Sequence, residues 1–397
     1  MDATTAPRKP RGRLFFANPG PTNIPDSILH AVAHHTVDFH NPEFLKLYDA
    51  CVEGVKRVLG TKQNLFMYTA SGHGAWEASL VNLFSPGDTL LMPETGNFSE
   101  SWGKMAAGHG LTVQNVPCDW RRGVEYDAIQ AALAADTGRK IKGVCLVHNE
   151  TSTGMWLDVA KVRAAMDAAG HPALLLVDSI SSLCSLDFRM DEWGVDCAVG
   201  GSQKGLMLPT GMSFTGVSDK AMAIQPTATL NKNYFDWAAS GTRRQKGFVG
   251  TVPVTLFFGL KEALRLLEEE GLDEVFARHH RLGEAVRRCV RHWSGNNGPQ
   301  LYCANPGRES DSVTAILMPE GHDAEAIRKT ALERFNVSLG GGLSKLSGHV
   351  FRVGHLGDLN EPMILGTLAA VEMALAINNT PHAPGGVTAA MEYLATA

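Results

Sequence analysis

Two residues of this chain are of the right types to do chemistry together: an acid, Asp178, and an amine, Lys204, 26 residues further on. The acid closes the apolar run Leu174–Val177. The amine sits among small and polar neighbours, Gly200, Gly201, Ser202, Gln203 and Gly205. Between them a second apolar run, Cys197–Val199, follows another acid, Asp196. Short apolar runs bounded by turn residues read as strands covered on both faces. Each would end at the rim of a parallel sheet, one delivering a carboxylate and the other leading to an amine. A fixed acid opposite an imine-forming lysine is what pyridoxal phosphate requires, with Asp178 at the protonated ring nitrogen and Lys204 at the aldehyde carbon. An ordinary strand-end acid and a surface lysine would look the same in isolation, so the surrounding chain has to decide.

Three further turns fall at strand ends. Leu65–Tyr68 is a strand candidate followed by Thr69–Trp76, which contains Ser71-Gly72-His73-Gly74, and helical spacing resumes over Glu77–Phe84. A strand, a small-residue turn and a helix start together bind phosphate, because free amides and the helix dipole converge there. The turn is neither a Walker loop nor GxGxxG, which disfavours a nucleotide. Asp88–Met92 leads to Thr95–Trp102, where Phe98 or Trp102 could stack on a flat ring or be buried as core. Gly143–His148 leads to the hydroxyl-rich turn Asn149–Gly154, again where open α/β sheets bind ligands. Near the start, Leu14–Ala17 stops at Asn18-Pro19-Gly20-Pro21, a rigid turn that could lay its backbone against a ligand.

The elements that must position these residues follow from the pattern around them. Helices are expected at Pro25–Val37, at Phe44–Leu59 with Gly60 as its cap, at Ile129–Ala135 and at Val159–Ala169, and a strand at Leu111–Val116. Alternation of strands and helices from about 60 to 215 argues for a mostly parallel sheet covered on both faces. Beyond Gly216 the pattern changes. Asn231–Thr251 is polar and irregular, with cations at Arg243, Arg244 and Lys246, and a loop of that length is usually functional or an interface. Pro253–Glu270 and Leu272–Trp293 read as long amphipathic helices, Gly298–Leu317 as β-like, His322–Phe335 as a helix and Val350–Gly354 as a strand. Pro362–Ile377 reads as a last helix, and Gly340–Gly342 as a mobile loop above a cleft. The expected organisation is an N-terminal arm (1–20), a large α/β domain (21–265) and a smaller C-terminal α+β domain (266–397).

At 397 residues the chain suggests two or three domains, and 44% hydrophobic with 19% charged residues is ordinary for a soluble globular protein. The net charge of −5 leaves no basic footprint for nucleic acid, and no apolar run is long enough for a membrane helix. The basic, proline-containing start, MDATTAPRKPRGR, has no apolar core of a signal peptide, so the expected location is cytoplasmic. Seven scattered cysteines form no CxxC pair and fifteen histidines no HExxH, so reduced thiols and no metal are expected.

Several segments, in this order, resemble the class V (fold type I) pyridoxal phosphate aminotransferases. They are Asn18–Pro25, Ser71-Gly-His73, Glu150–Gly154, Asp178-Ser179, Gly201–Gly205, Thr251–Pro253 and Phe351–Gly354. The likeness spans about residues 14–375 and is strongest to the serine–glyoxylate and alanine–glyoxylate branches. It implies a seven-stranded-type sheet, a homodimer with sites completed across the interface, and pyridoxal 5'-phosphate as cofactor. Lys204 would anchor the aldehyde and Asp178 would pair with the ring nitrogen. Ser71, Gly72, His73 and Gln203 would hold the phosphate, joined by Thr251 of the neighbouring subunit. Thr151 or Thr153 would sit near the ring hydroxyl, Phe98 on one face of the ring and Ile180 on the other. Arg352 would clamp the substrate carboxylate, with Asn18 and Gly20 nearby. The alanine-type relatives carry Trp at the position of Phe98, which leans this chain toward the serine–glyoxylate branch.

The reaction implied is transfer of an amino group from a small L-amino acid (serine, aspartate or alanine) to glyoxylate, giving glycine and a 2-oxo acid with ping-pong kinetics. A neighbouring cation is expected to lower the pKa of Asp178 and keep it ionised. Aspartate as donor would need a second cation, which Arg243 or Arg244 could supply, although a solvated basic loop is the more ordinary reading of them. A cysteine desulfurase should have His before the lysine and a reactive Cys, whereas Gln203 precedes Lys204 and Cys303 lacks a Ser-rich loop. A nucleotide-dependent oxidoreductase or a non-catalytic cofactor binder are the remaining alternatives.

Overall fold

The computed structural model describes residues 11–242, 248 and 250–397. In chain order, β1 (Phe15–Ala17) precedes α1 (Asp26–Val32) and α2 (Pro42–Leu59). Strand–helix units follow: β2 (Asn64–Tyr68) and α3 (Gly72–Leu83), β3 (Thr89–Pro93) and α4 (Asn97–Gly108), β4 (Thr112–Val116) and α5 (Tyr126–Ala135). Then come β5 (Ile141–Val147), a ribbon of β6 (Asn149–Glu150) and β7 (Met155–Trp156), and α6 (Val159–Ala168). Three more strands complete this part: β8 (Leu174–Asp178), β9 (Cys197–Gly201) and β10 (Ser213–Val217). After α7 (Asp219–Ile224) and α8 (Trp237–Thr242) stand the long helices α9 (Val254–Glu270) and α10 (Leu272–Trp293). The chain ends with β11 (Gln300–Leu301), β12 (Val313–Leu317), α11 (Ala324–Phe335), β13 (Val337–Gly341), β14 (Val350–Gly354), α12 (Glu361–Ile377) and α13 (Gly386–Leu394).

Seven strands form the large sheet in the order β2-β10-β9-β8-β5-β3-β4. All its pairings are parallel except those of β10, which runs antiparallel to both neighbours. Strand β8 shows why the sheet is covered on both sides. Leu175 and Val177 enter one core with α2, α6 and α9, while Leu174 and Leu176 enter the other with α3 and α4. Each such side chain contributes about 1.5–3 kcal/mol by leaving water. A five-stranded sheet, β1-β13-β14-β12-β11, packs Val353, Phe351 and Ile316 against α10 and α12 around a core of its own.

Several expectations are corrected. Leu14–Ala17, expected within an arm, contributes β1, which pairs in parallel with β13 at Phe15↔Val337. Gly340 and Gly341 are not a loop above a cleft. They belong to β13 and pair with Arg352 and Phe351, the sheet bonds of the glycine backbone outweighing its freedom. The first helix stops at Val32 instead of Val37, and α13 follows the helix expected to be last. Asn231–Thr251 is not wholly irregular, since it contains α8. Helix α2 ends as expected at Gly60, which adopts φ 65°, but starts two residues before Phe44, where the Asn41 side chain accepts from the Glu43 amide (2.9 Å). Among the described residues no helix is long and apolar enough to cross a membrane.

Candidate active site

The carboxyl ends of the central strands open on one cavity of about 230 Å3. Gly20, Gly72, His73, Phe98, Thr151, Asp178, Ile180, Gln203 and Lys204 line it. Each reaches it from a turn that its strand delivers: Gly72 after β2, Phe98 after β3, Thr151 after β5, Asp178 at the end of β8 and Lys204 after β9.

Helix α3 begins at Gly72, five residues earlier than the spacing suggests, with Ser71 as its cap. The small-residue turn is therefore the first turn of the helix, whose leading amides have no acceptor within the helix. Ser71 stands exposed at this helix end, beside the cavity instead of in its lining.

Asp178 is buried, and both its oxygens are held. Oδ1 accepts from the Ile180 amide at 2.7 Å and Oδ2 from the Trp76 indole Nε1 at 3.1 Å. Burial pushes its pKa up to about 7 and the Glu150 charge adds to this, while the Ile180 amide, Trp76 and Lys204 pull the other way. Without a cation at the ring position, the cost of burying the charge exceeds what the neighbours of Asp178 return. A positive ring nitrogen beside Asp178 would oppose that shift.

Lys204 is carried by a loop that Ser202 closes: its amide donates to Met212 O (2.9 Å) and its hydroxyl to Pro209 O (2.7 Å). Behind it, Thr22 donates from its amide to Gln203 O and from its hydroxyl to Lys204 O, each at 3.1 Å. The Lys204 amine donates to Pro19 O. Gly20 has φ +124°, and a Cβ there would run into the Lys204 side chain, so this turn requires glycine. Burial, followed by the nearby charge of Arg352, lowers the Lys204 amine to about 8, against the opposing pull of Asp178.

Arg352 lies on β14 and is buried. Its Nε donates to Gly341 O (2.7 Å) and its Nη1 to Thr151 O (3.1 Å). Burial lowers it only to about 10, which leaves it charged at neutral pH. Of the two threonines considered, Thr151 faces the cavity, whereas Thr153 turns its hydroxyl back onto Glu150 O at 3.3 Å. Asn18 bonds to Ser338 Oγ at 2.7 Å, and Thr251 is exposed apart from the cavity lining. Arg243 and Arg244 lie outside the described residues.

Three residues of this region were not singled out from the sequence. Trp76 steadies Asp178, Asn149 lines the cavity, and Glu150 is buried behind it. Trp76 stands four residues after Gly72, on the same helical face, which was a usable signal. Asn149 gave none beyond belonging to a polar turn, and Glu150 none beyond heading the segment Glu150–Gly154.

The cavity fits pyridoxal phosphate on its own terms. The buried Gln203 Oε1 and Asn149 Oδ1 have no partner among the described residues, although both residues line it. A helix start stands at one side for the phosphate, with an acid and an amine for the ring and aldehyde. A larger cavity of about 830 Å3 lies between α10 and the segment 185–193, away from both Lys204 and Asp178. Its Arg287 and Arg291 are spent on Glu284, Asp311 and Glu309. Cys303 is buried with its thiol pushed up to about 11, which is unlike the reactive thiolate of a desulfurase.

Comparison with known proteins agrees with this geometry. The family model "Aminotransferase class-V" matches residues 14–350. The chain is 45% identical over 397 residues to a serine–glyoxylate aminotransferase of Methylorubrum extorquens, covering 98% of each chain. It is 46% identical over 379 residues to an L-aspartate–glyoxylate aminotransferase of Paracoccus denitrificans, covering 94% of each. Among solved structures, an alanine–glyoxylate aminotransferase from Nostoc sp. superposes with a TM-score of 0.84 at 29% identity, covering 93% of this chain and 97% of that one.

Proposed function

The chain belongs to the class V aminotransferases, and on that premise we propose that it moves the amino group of a small L-amino acid, serine or aspartate, to glyoxylate. The observation that carries this reading is the single cavity that unites Asp178, Lys204 and the start of α3, with Arg352 at its back. Its relatives near 45% identity act with glyoxylate by name and divide between serine and aspartate as donor. Alanine remains a third candidate donor.

Pyridoxal phosphate, when bound, supplies an electrophilic carbon and a ring that accepts electrons from the substrate. Gly72, His73 and Gln203 would hold its phosphate, with Ser71 at the helix cap and Thr251 of a second copy completing the site in a homodimer. Phe98 and Ile180 would flank the ring, and Thr151 would stand near its hydroxyl. Asp178 would hold a proton at the ring nitrogen. The Lys204 amine would anchor the cofactor carbon and, once released, move the proton from the substrate Cα as general base and acid. Arg352, fixed by its bonds to Thr151 O and Gly341 O behind the cavity lining, would offer its remaining N–H groups to a substrate carboxylate. Asn18 and Gly20 would stand beside that carboxylate. The enzyme would work in the cytoplasm.

The test is the purified holoenzyme with glyoxylate and a panel of serine, aspartate and alanine. Parallel double-reciprocal lines with glycine as product are expected, and Arg352→Ala should raise KM about tenfold or more for donor and acceptor alike, since each has a carboxylate. Glycine formation from none of the three donors, or an unchanged KM in the variant, would refute the reading.

A further inference from the structure

Glu150 is 1% exposed, yet its carboxylate is full of partners. Oε2 accepts from the amides of Phe98 (3.0 Å) and Ser99 (3.2 Å). Oε1 accepts from the amide (3.1 Å) and hydroxyl (2.6 Å) of Ser152. The Ser152 hydroxyl in turn accepts from the Asn97 amide at 3.0 Å. All three leading amides of α4 therefore end on the turn that follows β5. The approach is close enough to require glycine at 96, where a Cβ would lie 2.5 Å from Glu150 Cδ and 2.6 Å from Ser152 Oγ. Four donors and no acceptor surround the carboxylate; these bonds favour the anion, while burial raises its pKa.

Both ends of this tie reach the cavity. Phe98, in the first turn of α4, lines one wall, and Thr151, between Glu150 and Ser152, lines another. The carbonyl of Thr151 takes the Arg352 guanidinium. The Glu150 charge also acts on Arg352 through space, favouring its charged form.

We propose that Glu150 is a positioning residue for this reaction. It locks Phe98 to the turn that carries Thr151 and serves as the buried counter-charge of Arg352. In the first role it sets the wall against which the cofactor ring lies. In the second it tempers how strongly Arg352 attracts a carboxylate, so that substrate binds and product leaves. The proposal rests on the transaminase reading: the wild-type assay tests that reading, and two variants test this one.

Glu150→Gln keeps the shape and removes the charge, and its amide must face donors on one side. Ser152→Ala keeps the charge and removes one anchor of α4. Two quantities are read on each: the dissociation constant for pyridoxal phosphate by absorbance titration, and the inhibition constant of acetate against the amino donor. Glu150→Gln should weaken cofactor binding about tenfold and make acetate inhibit more tightly, because Arg352 has lost its counter-charge. A purely structural lesion would weaken both. Ser152→Ala should weaken the cofactor a few-fold and leave acetate unchanged. Wild-type cofactor binding in Ser152→Ala overturns the tie, whether or not the Gln variant folds. Acetate inhibition that is unchanged or weaker in Glu150→Gln overturns the counter-charge.

Discussion

A carboxylate buried between an amide and an indole is pulled two ways. At Asp178, burial favours the neutral acid, and the hydrogen bonds from Ile180 and Trp76 favour the anion. Burial prevails in the protein alone, with a pKa near 7, so every donor to this carboxylate matters for gripping a positive ring nitrogen. Trp76→Phe keeps an aromatic ring against Trp102, whose plane lies 13° from its own, and removes the N–H. A lost hydrogen bond to a charged group is worth about 1.5–3 kcal/mol. Pyridoxal phosphate should therefore bind at least about tenfold more weakly to that variant by absorbance titration, and unchanged affinity would show that the indole does not matter. Lys204 has a pH signature of its own. Its pKa of about 8 lies below the usual lysine value, and only the unprotonated amine attacks an aldehyde. Uptake of pyridoxal phosphate by the cofactor-free protein should thus quicken from pH 7 to pH 9 and then level off, as followed by stopped-flow absorbance. A rate that is flat over that range would place the attack elsewhere.

Elements with a one-to-one relation between pattern and environment were legible. The runs at β5, β8 and β9 are apolar because both faces are covered, and they occur where read. Direction and partner choice were not legible. Ser213–Val217 is as fully buried as its neighbours, and nothing in a two-residue period tells antiparallel from parallel. Gly340 and Gly341 read as a loop because glycine is permissive, but their amides and carbonyls are taken up beside Arg352. Glycine at the end of α2 is a firmer signal, because φ 65° excludes most side chains. Gly60→Ala should cost about 1–2 kcal/mol, since a left-handed residue with a Cβ is strained. That predicts a thermal midpoint lower by about 2–4 °C, and an unchanged midpoint would mean the cap relaxes freely.

In the whole molecule the first described residues act as a strap between the two sheets. β1 extends the smaller sheet, Asn18 bonds to Ser338, Pro19 accepts from the Lys204 amine and Thr22 holds the loop beneath it. The rim of the large sheet could be assembled from sequence because its chemistry lies in turns at consecutive strand ends, each with a recognisable residue type. The partners that steady those residues were far less legible, the helical spacing of Trp76 from Gly72 being the one signal. Trp76 meets Asp178 across 102 residues and Glu150 meets Phe98 across 52, distances over which only the folded topology decides contact. Every role assigned to this cavity depends on Lys204 being the residue that captures the cofactor there. The most direct measurement is to load the protein with pyridoxal phosphate, reduce it with borohydride and map the modified peptide by mass spectrometry. One phosphopyridoxyl group per chain on Lys204, with the visible absorbance lost in Lys204→Ala, is the predicted result. Modification of a different lysine, or a Lys204→Ala variant that still turns over, would contradict it.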